Sequence, residues 1–176
     1  MSAQAVLAGS ALLAGTHVLA QQRCDADAPV TAASIERFED GRDGTVTDRS
    51  SKLMWTRCSV GQALTDTACS GKPRAMTWAN AKSVATEINA SGELFFKDWR
   101  VPQVHELATL TDLHCDNPRI NLAAFPSTPP VAYWTASTRK PPDSPGFAYA
   151  LSFGADGVKL VDKEQPALVR LVRSAR

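Results

Sequence analysis

A surplus of charge of either sign is missing from this chain. Its 176 residues carry 19 Lys and Arg against 18 Asp and Glu, so it has no basic excess of the kind that attracts nucleic-acid phosphates. Glycine is scarce too: 10 residues cannot supply the one-in-three repeat of a collagen helix. No C-x-x-C pair, P-loop or G-x-S-x-G motif occurs. Those absences remove the usual zinc-ligand spacing, the phosphate cradle and the nucleophile elbow. His105 and His114 have no zinc-type spacing, and no triad surrounds either. Asp40, Asp43 and Asp48 invite a calcium reading. The run Asp40-Gly41-Arg42-Asp43-Gly44 lacks the alternating oxygen ligands of such a loop, so a hairpin turn is expected and no metal.

What is present places the chain in an exported class. Ala5 to Ala20 is an uncharged apolar run ending in Val18-Leu19-Ala20, although Met1 to Gln4 has no Lys or Arg. Residues 1–20 are read as a signal peptide, 21–35 as an N-terminal arm and 36–176 as one domain. No later run approaches the roughly 20 residues of a membrane span. The 4 cysteines are an even set, and in an exported domain an even set implies disulfides rather than catalysis. Three pairings exist. The expected one joins Cys58 to Cys69 and Cys24 to Cys115.

The periodicity predicts short strands at Thr45–Asp48 and Lys52–Thr56. It predicts a loop at Ser59–Ala75 and a helix capped by Thr77 and stopped at Ser91-Gly92. A strand is expected over Leu94–Trp99 and a second helix over Gln103–Asp112, with Glu106 as its capping-box acid. Alternating strands follow at Ala132–Ser137 and Phe147–Phe153. A turn at Gly154–Gly157, a return at Val158–Val161 and a last strand at Leu168–Arg173 complete the chain. No βαβ repetition occurs. The expected fold is α+β, a twisted antiparallel sheet with two helices and long loops.

Several segments together resemble one family. They are Asp43-Gly44-Thr45-Val46-Thr47-Asp48, Leu53-Met54-Trp55 with Cys58, and Thr77-Trp78 with Ala81. Trp99-Arg100-Val101-Pro102 with Glu106-Leu107, Ala124-Phe125-Pro126, Tyr133-Trp134 and Val169 to Arg173 complete the set. The chain resembles the Lcl C-terminal domain family, named for the terminal domain of a bacterial collagen-like adhesin. The resemblance implies a C-type-lectin-like fold, a periplasmic or surface location and, from the founding adhesin, binding of sulfated polysaccharide. Lys52 stands where relatives usually have Gly. The Glu-Pro-Asn, Gln-Pro-Asp and Trp-Asn-Asp signatures of calcium-dependent sugar binding are absent.

The expected function is a non-enzymatic binding module without a cofactor. Val131 to Arg176 holds seven basic residues against four acidic ones, a patch for a polyanionic glycan. Arg139, Lys140, Lys159 and Lys163 are the candidate ligand contacts. The alternative is a structural component that binds a surface protein through Phe125–Tyr133 and nearby exposed aromatics; self-association is left open. At the Trp99-Arg100 corner, Arg100 either faces a ligand or pairs with Glu106 or a helix-end carbonyl, and the orphan backbone groups there favour pairing. The corner is also similar to that of formylglycine-generating oxidases, but no counterpart of their C-terminal cysteine pair follows Cys115.

Overall fold

The computed structural model describes residues 22–25, 36–139 and 145–175. The expected signal peptide and most of the expected arm lie outside these. The chain runs through β1 (Arg23–Cys24), β2 (Phe38–Asp40), β3 (Thr45–Asp48), β4 (Leu53–Thr56), β5 (Ala63–Thr65) and β6 (Ala68–Ser70). Helices α1 (Trp78–Ser91) and α2 (Val104–Ala108) follow, and then β7 (Cys115–Asp116). The last strands are β8 (Ala132–Thr138), β9 (Phe147–Ser152), β10 (Gly157–Asp162) and β11 (Val172–Ser174). The architecture is mixed α+β, and every ladder between these strands is antiparallel. One correction concerns the sheet. The strands divide among four small sheets, ordered β1-β7, β11-β4-β3-β2, β5-β6 and β10-β9-β8, rather than forming one.

The β8-β9-β10 sheet organises the core because both of its faces are covered. Tyr133 lies opposite Leu151, and both join Trp55, Leu107 and Phe125 in one buried cluster. The neighbouring pair, Trp134 opposite Ala150, points the other way and joins Ala81, Val84, Ala85 and Trp99 under α1. Alternation along each strand thus feeds two cores. Helix α1 begins where the Thr77 hydroxyl accepts from Asn80 N–H at 3.4 Å and ends at Gly92 with φ 72°.

Local readings fail where a tertiary contact wins. The Leu94–Trp99 segment forms no strand. Phe95 has φ 52°, and the Asn89 side chain serves both peptide groups of Trp99, accepting from its N–H and donating to its C=O at 2.8 Å each. Helix α2 stops at Ala108, short of Asp112. Thr109, Leu110 and Thr111 N–H each bond three residues back, and the Thr109 hydroxyl donates to the Glu106 carbonyl at 2.7 Å. The Ser59–Ala75 loop contains the β5-β6 hairpin. The last strand is shorter than expected, because Arg170 turns inward between the Ala167 and Leu168 bridges and β11.

Lys52 has φ 58°, the left-handed region that costs an L-residue about 1–2 kcal/mol. Its backbone is held by Lys52 N–H to Asp48 C=O and Ala175 N–H to Lys52 C=O, each 2.9 Å. Lys52→Gly is therefore expected to raise stability by about 0.5–1 kcal/mol once glycine's entropy is counted, read as a higher urea midpoint. A lowered midpoint would mean that the lysine side chain contributes more than the strain.

Candidate functional site

Both expected disulfides form, Cys24–Cys115 and Cys58–Cys69, and no cysteine is free. The first joins residues directly opposite each other in the β1-β7 pair. The second closes the β5-β6 hairpin, whose Leu64 lies opposite Cys69.

At the Trp99 corner, Arg100 donates two hydrogen bonds to Glu106, at 2.7 and 2.6 Å. Gln103 N–H donates to the same carboxylate at 2.7 Å. Burial alone would raise the Glu106 pKa, but the Arg100 and Gln103 hydrogen bonds outweigh it and hold the carboxyl below its ordinary range. The Arg100 backbone also exchanges two 2.9 Å hydrogen bonds with Val172. The guanidinium thus braces the corner that launches α2. Asp48 is a second internal brace. Burial pushes its pKa up, and hydrogen bonds from Arg37, Ser51 and the Ser50 N–H bring it below the usual value. Asp40 accepts from Arg57 at 2.9 Å, and Asp43 accepts from Thr45 N–H and hydroxyl at 3.0 and 2.6 Å. Among the described residues no group of three His, Cys, Asp or Glu converges as a metal site. His105 and His114 are exposed.

The candidate ligand contacts separate. Lys140 lies outside the described residues. Arg139 is exposed just after β8. Lys163 follows β10, and its N–H donates to Gly146 C=O at 2.8 Å. Thr138 and Val161 both lie opposite Ala148, so Arg139 and Lys163 leave the sheet at one end. Lys159, opposite Ala150, is about 13 Å back along the strand at ~3.3 Å per residue and is paired with Asp156 at 2.5 Å. Lys163 Nζ donates to Pro145 C=O at 2.6 Å and sits 4.6 Å from the centre of the Trp78 ring. Lys82, which the sequence reading missed, reaches the same ring centre at 4.6 Å. Its signal was local: Trp78 and Lys82 are four apart on α1 and so share a face.

Two expectations about surfaces are corrected. The C-terminal basic excess is not a patch, because Arg170 is 0% and Arg173 4% exposed. Arg173 is spent on Asp98 at 2.6 and 3.2 Å and on the Phe96 ring. The aromatics near Phe125–Tyr133 are not exposed either: Phe125, Tyr133 and Trp134 are all buried. They fill the two cores, which need that volume more than the surface needs the rings.

Opposite Trp78, across the buried stripe of α1, runs a cleft of about 960 Å³. Its walls are the C-terminal half of α1, the turn before β3 and the disulfide-closed hairpin. Gly61 (φ 92°) lets the two sides of the hairpin base close, since a Cβ there would lie 2.9 Å from Arg74 N. A second cleft of about 580 Å³ adjoins it along the first half of α1.

The family model of the Lcl C-terminal domain matches residues 44–173. No curated protein matches the chain.

Proposed function

This chain belongs to the Lcl C-terminal domain family; on that premise we propose that it is an exported, non-enzymatic binding module on a C-type-lectin-like scaffold, and that its ligand is a polyanionic, sulfated glycan. The two disulfides fit an oxidising compartment outside the cytoplasm, at the periplasm or cell surface. No helix among the described residues is long and apolar enough to cross a membrane. With every cysteine crosslinked, no thiol is left for chemistry of the formylglycine-generating type.

The convergence of Lys82 and Lys163 on Trp78 carries the reading of the ligand. Two ammonium groups, each 4.6 Å from the centre of one indole, concentrate positive charge at that ring, which attracts a sulfate or carboxylate. The half-buried indole adds apolar surface beside the two ammonium groups. The first turn of α1 holds no acidic residue, so its dipole adds to the attraction. Arg139 extends the positive surface at the same end of the sheet, and Lys159 joins only by giving up Asp156. Each exposed contact is weak and salt-screened, so the affinity requires several together.

Retention on a heparin column tests this. The protein is expected to bind at about 0.05 M salt and to elute by about 0.5 M, where the Debye length falls to a few ångströms. The double variant Lys82→Glu/Lys163→Glu is expected to pass through unretained. A wild-type protein that fails to bind at low salt sinks the glycan reading, and a fully retained double variant sinks the Trp78 site.

A further inference from the structure

We infer that the trough on the other flank of α1 binds an extended peptide segment carrying basic side chains, independently of the glycan reading. The two clefts there share Arg74, Val84 and Glu87 in their walls, so they adjoin at the middle of α1. From Asn80 to Ser91 the trough follows α1 for about 16 Å at ~1.5 Å per residue, the length of about five residues of extended chain. Its combined size suits an oligomeric ligand rather than one ion.

The chemistry of the walls selects the occupant. No Phe, Trp or Tyr lines either cleft, so there is no platform on which a sugar ring would stack. Half-buried beside Asp43 and Gln62 along the long cleft are four aliphatic side chains, Val60, Leu64, Ile88 and Leu94. These four would gain from contact with aliphatic side chains or with the stems of lysine and arginine. Asp40 and Arg57 neutralise each other. Of the remaining wall charges, Asp43, Asp66, Glu87, Glu93 and Glu164 have no ion-pair partner among the described residues, against Arg42 and Arg74. Five carboxylates against two guanidiniums attract a cationic ligand and repel a polyanion. The Cys58–Cys69 bond fixes the wall facing α1, which lowers the ordering cost of binding.

Fluorescence polarisation tests this with the oxidised chain and a fluorescein-labelled six-residue peptide of alternating lysine and leucine. Saturable binding is expected, with none to the matching glutamate–leucine peptide. Glu87→Arg with Glu93→Arg, both exposed positions, is expected to weaken the lysine peptide about tenfold or more, as reversing two surface charges should. The thermal midpoint should stay at the wild-type value, and heparin retention should not fall. No saturable binding of the lysine peptide, equal binding of the glutamate peptide, or an affinity unchanged in the double variant would each overturn the assignment. Because the two sites lie on opposite flanks, loss of heparin binding in Lys82→Glu/Lys163→Glu with peptide binding intact would separate the two readings.

Discussion

Cys115→Ser is expected to cost more stability than any other single disulfide change, about 4.6 kcal/mol by loop-closure entropy for its 91-residue separation. The same arithmetic gives about 2.8 kcal/mol for the 11-residue separation of Cys58–Cys69. The difference arises in the unfolded chain, where the longer crosslink removes more freedom. In the folded chain the bond anchors a short element. Strand β1 is two residues long. Besides its pairing with β7, it is held by Gln22 donating to Pro118 C=O and Ile120 C=O at 2.6 and 2.8 Å and by Asp25 N–H to His114 C=O at 2.8 Å. Without the crosslink this arm regains some freedom by fraying, which trims the measured loss below the full loop-closure figure while leaving it above the loss for the short loop. Urea unfolding of Cys24→Ser/Cys115→Ser beside Cys58→Ser/Cys69→Ser gives the comparison. If the long-loop variant is the more stable of the two, the entropic account is wrong.

Arg170→Ala is expected to cost about 3–5 kcal/mol, since it opens a cavity and strips donors from buried acceptors. The side chain is 0% exposed. It donates to Thr56 C=O at 2.7 Å, to Arg57 C=O and to the Thr128 hydroxyl at 2.8 Å. Its guanidinium lies 4.8 Å from the centre of the Phe125 ring and 5.9 Å from that of Tyr133. No carboxylate pairs with it among the described residues. Burial lowers its pKa, partly countered by Tyr133. Carbonyl dipoles and ring faces stand in for a counter-ion. Arg170→Met separates volume from hydrogen bonding, because it fills most of the space and leaves two carbonyls without donors. It is expected to cost about 2 kcal/mol. A methionine variant as stable as the wild type would show that desolvating the cation cancels its hydrogen bonds.

Arg170 also shows why sequence reading stops where it does. In the chain it is one of seven basic residues after Pro130, indistinguishable from Lys159. Only the meeting of Thr56, Arg57 and Phe125, 45 or more residues upstream, makes it an internal bolt rather than part of a surface patch. The Leu94–Trp99 segment fails for a related reason. Leu94 and Phe96 are half-buried and Trp99 is buried, but Phe95 turns out to solvent at 77% exposure, the partner for Trp99 is the Asn89 side chain, and no periodicity marks a side chain standing in for a strand. Helix α1, by contrast, was legible from end to end, because its cap, apolar stripe and glycine stop all act within a few residues of one another.

Near-neighbour chemistry thus settles the secondary-structure class, the Thr77–Gly92 helix, the hairpin after β9 and the presence of crosslinks, since capping, turn geometry and side-chain alternation act over a few residues. The folded chain alone settles where ligands are to be sought. Lys82 and Lys163 are 81 residues apart and meet on Trp78 only because β10 ends beside the start of α1. The acidic trough exists only because a disulfide-closed hairpin stands across from the other flank of that helix. Contacts between distant segments depend on how two cores pack on one sheet, and that information is spread over the whole chain rather than held in any motif.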